Sequence, residues 1–164
     1  MLLYCGVRFV GVDVGGRRIG LALSDPTGML ARPWQVVPAA DTPEASAARV
    51  AACIAPFIAD DDGVAGIVVG LPRRLDQRDT DQTAPARLFA ATLARLTDRP
   101  IHLQDERLTS VEAEARLAEH EPDWRKRKLQ IDAVAASIIL QEFLDATAAV
   151  PRPTAFPGKP DSEC

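Results

Sequence analysis

From position 7 to 14 the chain reads Val-Arg-Phe-Val-Gly-Val-Asp-Val, an apolar run that closes on a carboxylate, and a second run, Ile19 to Ser24, follows Gly15-Gly16-Arg17-Arg18. Runs of this length, rich in β-branched residues and bounded by glycine, predict two strands joined as a hairpin. The glycines offer positive φ and close backbone approach at the connection. Asp25-Pro26-Thr27-Gly28 has turn chemistry, and Trp34 to Val37 predicts a third antiparallel strand. Thr42-Pro43 reads as a cap followed by proline in the first helical turn, opening a helix to about Asp60 with Val50, Ile54 and Phe57 close to one face. Pro56 removes a backbone donor there and predicts a late kink or an early end.

Ala65 to Gly70, with the unbroken Ile67-Val68-Val69, predicts a strand covered on both faces. After a loop from Arg73 to Asp81, Leu88, Phe89, Thr92, Leu93 and Leu96 recur at helical spacing. Pro100 to Gln104 predicts a short strand that enters Asp105-Glu106-Arg107, and Thr109 with Glu112 forms a capping box for a helix that stops before Pro122. Leu129 to Leu144 predicts the last helix, with Asp132 in its first turns and on the face of Ala136, Ile139 and Phe143. Strands alternating with helices predict an α/β domain over residues 1–149, and the proline-rich residues 150–164 read as a loose tail. No internal repeat interrupts that plan.

A chain of 164 residues can bury a sizeable core without disulfides. Cys5, Cys53 and Cys164 share no metal-ligand spacing, and an odd thiol count fits a reducing compartment. The first residues lack a signal-peptide pattern, and no run approaches the roughly 20 apolar residues that span a bilayer. The expectation is a cytoplasmic protein without a membrane partner. A net charge of -4 argues against a uniformly basic nucleic-acid binder. Local clusters survive that objection: Arg17-Arg18, Arg73-Arg74, Arg78 and Arg125-Lys126-Arg127-Lys128.

Asp13, Glu106 and Asp132 form the preferred acidic trio, from two strand ends and a helix, with Asp105 as an alternative ligand. Oxygen ligands suit hard cations such as Mg2+ or Mn2+, and no clustered Cys or His motif points to zinc. Two such ions would activate water and stabilise the leaving oxygen of a phosphodiester, so no Ser-His-Asp triad is needed. A plainer reading remains beside it. Asp13 would then be a strand-end residue, Asp132 a helix-start carboxylate, and Asp105-Glu106 partners of Arg107. His102 reads as a strand-side polar residue and His120 as a helix-end surface residue. Gly11, Gly15-Gly16 and Gly20 do not make the G-x-G-x-x-G fingerprint of a dinucleotide binder.

The segment Gly11-Val12-Asp13-Val14-Gly15-Gly16-Arg17-Arg18-Ile19-Gly20-Leu21-Ala22-Leu23-Ser24-Asp25 resembles the opening signature of the YqgF/RuvX family of Holliday-junction-resolvase-like nucleases. Val69-Gly70-Leu71-Pro72 with Leu75-Asp76, then Asp105-Glu106-Arg107-Leu108-Thr109-Ser110, Lys126-Arg127-Lys128 and Ile131-Asp132-Ala133-Val134-Ala135-Ala136, continue the likeness in order. The resemblance implies an RNase H-like fold, a mixed sheet flanked by helices. It implies a divalent-metal-dependent nuclease acting in 5′-end maturation of 16S ribosomal RNA, on precursor RNA or a pre-ribosomal particle. The alternatives are resolution of branched DNA by a homodimer, and a noncatalytic nucleic-acid-binding or ribosome-assembly role. By the same resemblance Asp13, Glu106 and Asp132 are the catalytic and metal positions, and Arg18, Arg107 and Lys128 contact phosphate. Arg17, Arg73, Arg74 and Arg127 are further candidates for nucleic-acid contact. Gln77 stands where the family pattern has glycine, which predicts a changed loop path.

Overall fold

The computed structural model describes residues 8–60, 63–72, 81, 83–106, 115, 118–119 and 122–148. Its strands are β1 (Arg8–Val14), β2 (Arg18–Ser24), β3 (Ala31–Pro38), β4 (Val64–Pro72) and β5 (Ile101–Glu106). Its helices are α1 (Pro43–Ile58), α2 (Thr83–Thr97) and α3 (Trp124–Ala148). The strands form one sheet in the order β3-β2-β1-β4-β5. The β1-β2 and β2-β3 pairs are antiparallel, whereas β1-β4 and β4-β5 are parallel. Parallel neighbours end together, so the carboxyl ends of β1, β4 and β5 share one edge of the sheet.

Strand alternation sorts the side chains into two layers. Val10, Val12, Ile19, Leu21, Ile67 and Val69 pack with Val50 and Ile54 of α1 and Phe89 and Leu93 of α2. On the other face Ala22 and Val68 pack with Ala136, Ile139, Leu140 and Leu144 of α3. Both faces of β1 and β4 are therefore dry, which explains their continuous apolar runs. This mixed sheet between helices is the RNase H-like arrangement expected from the sequence.

Several boundaries moved for local reasons. Strand β3 extends from the expected Trp34–Val37 to Ala31–Pro38, because Gln141 Oε1 of α3 accepts the Ala31 amide at 2.8 Å and ties down its start. Helix α1 is capped by the Thr42 side chain, which accepts the Ala45 amide at 3.1 Å. It runs through Pro56 and ends two residues later, the early end that a missing donor predicts. In α2 the expected apolar face needs correction: Leu88 and Leu96 are exposed, and Thr83, Ala86, Phe89, Ala90, Thr92, Leu93 and Thr97 are buried. Thr92 and Thr97 can be buried because their hydroxyls donate to the Leu88 and Leu93 carbonyls. Among the described residues no helix is long and apolar enough to cross a membrane. The expected capping box at Thr109 and Glu112, the Gln77 loop and the tail from residue 150 lie outside the described residues.

Candidate active site

The site begins with two strand glycines. Strand β2 pairs with β1 so that Gly20 lies opposite Asp13 and Ala22 opposite Gly11. Helix α3 crosses this pair closely. A Cβ built at Gly20 would fall on the Asp132 carbonyl, and one at Gly11 would sit 2.7 Å from Leu140 Cβ and 2.8 Å from the Ala136 oxygen. Asp132, Ala136 and Leu140 are spaced i, i+4, i+8, one ridge of the helix, and that ridge lies along the two glycines. Only residues without a side chain permit this approach.

The approach decides where the acids sit. Directly opposed residues in an antiparallel pair share a face, so Asp13 and Gly20 both face α3. Asp13 is only 8% exposed, and Asp132 lies on α3 where that helix passes over Gly20. Two distant carboxylates thus occupy one face at one end of the sheet. Arg18, two residues before Gly20 and on the same face, brings Nε within 2.9 Å of Asp132 Oδ2. The N–H direction misses hydrogen-bond alignment. Oδ2 is buried and has no aligned donor among the described residues, although the guanidinium compensates its charge.

The expectation that Asp132 lies in the first turns of its helix is corrected. Helix α3 starts at Trp124, so Asp132 lies beyond its second turn and the dipole of exposed terminal amides does not explain its place. The start is set by Asp123, whose Oδ1 accepts the Arg125 amide at 2.9 Å. The basic stretch from Arg125 is therefore helical.

The third acidic position is reached through β5. Its register pairs Val68 with His102, Leu71 with Asp105 and Pro72 with Glu106. His102 packs its ring 4.8 Å from that of Phe143 on α3, so the two-residue period carries the α3 face from 102 through 104 to position 106. Asp105 is exposed and belongs to the opposite alternation, with Ile101, which packs against the α1–α2 core. Among the described residues no group of three His, Cys, Asp or Glu side chains gathers to hold a metal. The Glu106 side chain lies outside that description.

The basic candidates divide. Arg18 is engaged with Asp132, and Arg17 is exposed in the hairpin, where its carbonyl accepts the Ala39 amide. Arg127 is half-buried and donates from Nη1 to the Pro122 carbonyl at 3.4 Å. Arg73, Arg74 and Arg107, and the Lys128 side chain, lie outside the described residues. Of the two roles expected of the hairpin glycines, positive φ is not used and close backbone approach is, at Gly15. Neither Gly15 nor Gly16 has positive φ. Gly15 is required because a Cβ there would sit 2.5 Å from the Arg18 carbonyl, to which its own amide donates at 3.0 Å. Sequence reasoning overlooked the role of Gly11 and Gly20, whose signal was a glycine inside each of two otherwise apolar strands.

Comparison with known proteins agrees with this architecture. The model of the family described as RuvX, Holliday junction resolvase, matches residues 7–146. A protein of Pelotomaculum thermopropionicum named "Putative pre-16S rRNA nuclease" is 40% identical over 140 residues, covering 85% of this chain and 88% of that protein. A protein of the same name from Chloroflexus aggregans is 43% identical over 137 residues, covering 84% and 92%. The fowlpox virus Holliday junction resolvase shares the fold with a TM-score of 0.52 at 14% identity, over 85% of this chain and 99% of that one. A family match spanning both acidic strand ends and the helix over Gly20 places this chain in the YqgF/RuvX family of nuclease-type enzymes.

Proposed function

We propose that this chain is a divalent-cation-dependent phosphodiester hydrolase that trims the 5′ end of precursor 16S ribosomal RNA. The observation that carries the reading is the crossing of α3 over Gly20, which sets Asp132 and the buried Asp13 on one face of the sheet. Two carboxylates held in a largely buried site repel each other unless a cation lies nearby. Arg18 meets that need at Asp132, and its 39% exposure leaves it within reach of a substrate phosphate.

The donor set fits a hard cation such as Mg2+ or Mn2+: the ligands are carboxylate oxygens, and Asp132 Oδ2 has no aligned donor among the described residues. Asp13 and Asp132 would hold it, with Glu106 as the third ligand, since strand alternation favours position 106 over Asp105. When bound, one or two such ions would make water nucleophilic near neutral pH and neutralise charge on the phosphate oxygens. The chain's own part is positional. Asp13 is fixed by a central strand, Asp132 by a helix locked against glycines, and Arg18 is oriented by Asp132 towards incoming anionic backbone. The relatives' names support precursor ribosomal RNA as the substrate.

The test uses purified protein with precursor 16S RNA, mature RNA and a synthetic four-way DNA junction, each with Mg2+, Mn2+ or chelator. Cation-dependent cleavage of the precursor is expected, and Asp13→Asn or Asp132→Asn should lower it by about two to three orders of magnitude with the fold and RNA binding intact. The family description, Holliday junction resolvase, supports a second reading in which the substrate is branched DNA. Junction-selective cleavage would put that reading first. Binding without any cleavage would leave a noncatalytic role in ribosome assembly.

A further inference from the structure

Trp124 is 61% exposed at the start of α3, an unusual place for the largest apolar side chain, and the Arg125 guanidinium lies 5.4 Å from the centre of its ring. The next residues, Lys126 and Arg127, are cationic, and the first turn of α3 contains no acidic residue. Cations at the positive end of a helix dipole oppose it. The cap Asp123 offsets them in part. A local rule broken three times in succession, in a chain of net charge -4, marks a surface shaped for an external anion. The flat exposed ring beside it adds a second requirement: the anion should bring a π-face.

We infer that Trp124, flanked by Arg125 and Lys126, is a stacking platform for an unpaired base of single-stranded RNA. The inference rests on the nuclease reading for its substrate and deepens it, because stacking on a surface tryptophan needs a base that is out of a duplex. Helical geometry sets the distance. Trp124 precedes Asp132 by eight residues on the same helix, about 12 Å of rise, which equals about three to four nucleotides of stacked strand. Arg125 lies seven residues before Asp132, about 20° from it around the helix, so the cation beside the platform points along the face that carries the acid. A strand stacked on Trp124 would run towards the carboxylates with its backbone against Arg125. Recognition of this kind places a single-stranded segment in the site whatever its sequence, since every base offers a face.

The sequence has only two tryptophans, and Trp34 packs edge-on against Phe57 at 4.9 Å, so Trp34→Phe leaves Trp124 as the one indole reporter. That protein is titrated, in chelator and therefore without turnover, with an oligouridine of about ten nucleotides, an RNA duplex of equal length and a four-way DNA junction. Single-stranded RNA should quench the indole emission, and the duplex and the junction should not. In the wild-type background, Trp124→Ala should weaken single-strand binding about tenfold without changing the slope of log affinity against log salt, because stacking releases no counterions. Trp124→Phe should keep most of the affinity. Lys126→Ala should instead lower that slope. Unaltered binding by Trp124→Ala, equal quenching by duplex or junction, or failure of phenylalanine to retain binding overturns the platform. A protein that stacks RNA on Trp124 but never cleaves it would refute the nuclease reading and leave the platform standing.

Discussion

Asp25 shows how much a single side chain can organise. Its Oδ1 accepts the Leu30 and Met29 amides at 3.0 and 2.9 Å, its Oδ2 accepts the Thr27 hydroxyl, and its carbonyl accepts the Gly28 amide, whose residue has φ +68°. The Leu30 amide, then the Thr27 hydroxyl, hold its pKa at about 2, below the ordinary 3.8. A depressed folded-state value means stability fully present above pH 3.8 and lost as pH falls through about 2. The carboxylate lies near the surface, so after solvent screening the effect should be only about 1 kcal/mol. Acid titration of unfolding free energy should show this limb in the wild type and lose it in Asp25→Asn. An identical limb in both proteins would contradict the assignment. The ion pair of Arg18 with Asp132, 39% and 22% exposed, should likewise give a coupling of only about 0.5–1 kcal/mol in a double-mutant cycle. Its value is placement. At this level the acids were legible, since a carboxylate closing an apolar strand is conspicuous in sequence. Which of Asp105 and Glu106 shares the face of Asp13 was not, because that depends on the register of β5 against β4.

Helix α3 and the β1-β2 hairpin carry the geometry of the proposed site through a contact made of absence. Gly20→Ala must push the Asp132 carbonyl away, and Gly11→Ala must displace Leu140 and Ala136, each an overpacking cost of about 1–3 kcal/mol. Gly20→Ala should stand at the upper end, because its Cβ would overlap the Asp132 carbonyl outright, whereas one at Gly11 would stop 2.7 Å and 2.8 Å from its neighbours. The two variants should also separate in function. At matched folded fractions, Gly20→Ala is expected to lose more cleavage activity than Gly11→Ala, since it moves the turn that bears Asp132. Urea melts with single-turnover cleavage measure both, and equal activities would show that the crossing does not position the acid. The elements themselves were readable from hydrophobic runs, turn residues and caps. Their ends were less so. Strand β3 was lengthened by a bond from Gln141, 110 positions away, and α3 began five residues before its apolar stretch because Asp123 caps a basic turn with no packing pattern. Leu88 and Leu96 misled for a related reason: helical spacing identifies a stripe, and the partner helix decides which flank of it is covered.

Three acids from positions 13, 106 and 132 can meet only when the whole sheet and the last helix are assembled, so a cation bound among them is linked to global folding. A ligand at about 100 times its dissociation constant stabilises the folded state by about 2.7 kcal/mol. For a chain of this size that corresponds to a rise in Tm of about 5–10 °C. Mn2+ should produce such a rise in the wild-type protein, and Asp13→Asn, Asp132→Asn and Glu106→Gln should each abolish most of it. Asp105→Asn should keep it, because β5 alternation sets position 105 on the other side of the sheet. The comparison needs no substrate and no turnover, and thus separates cation capture from catalysis. A full shift in Asp132→Asn would mean that the helix acid serves only to hold Arg18. Loss of the shift in Asp105→Asn with retention in Glu106→Gln would mean that the cation approaches from the α1–α2 side, and the role of the Gly20 crossing in assembling the site would have to be abandoned.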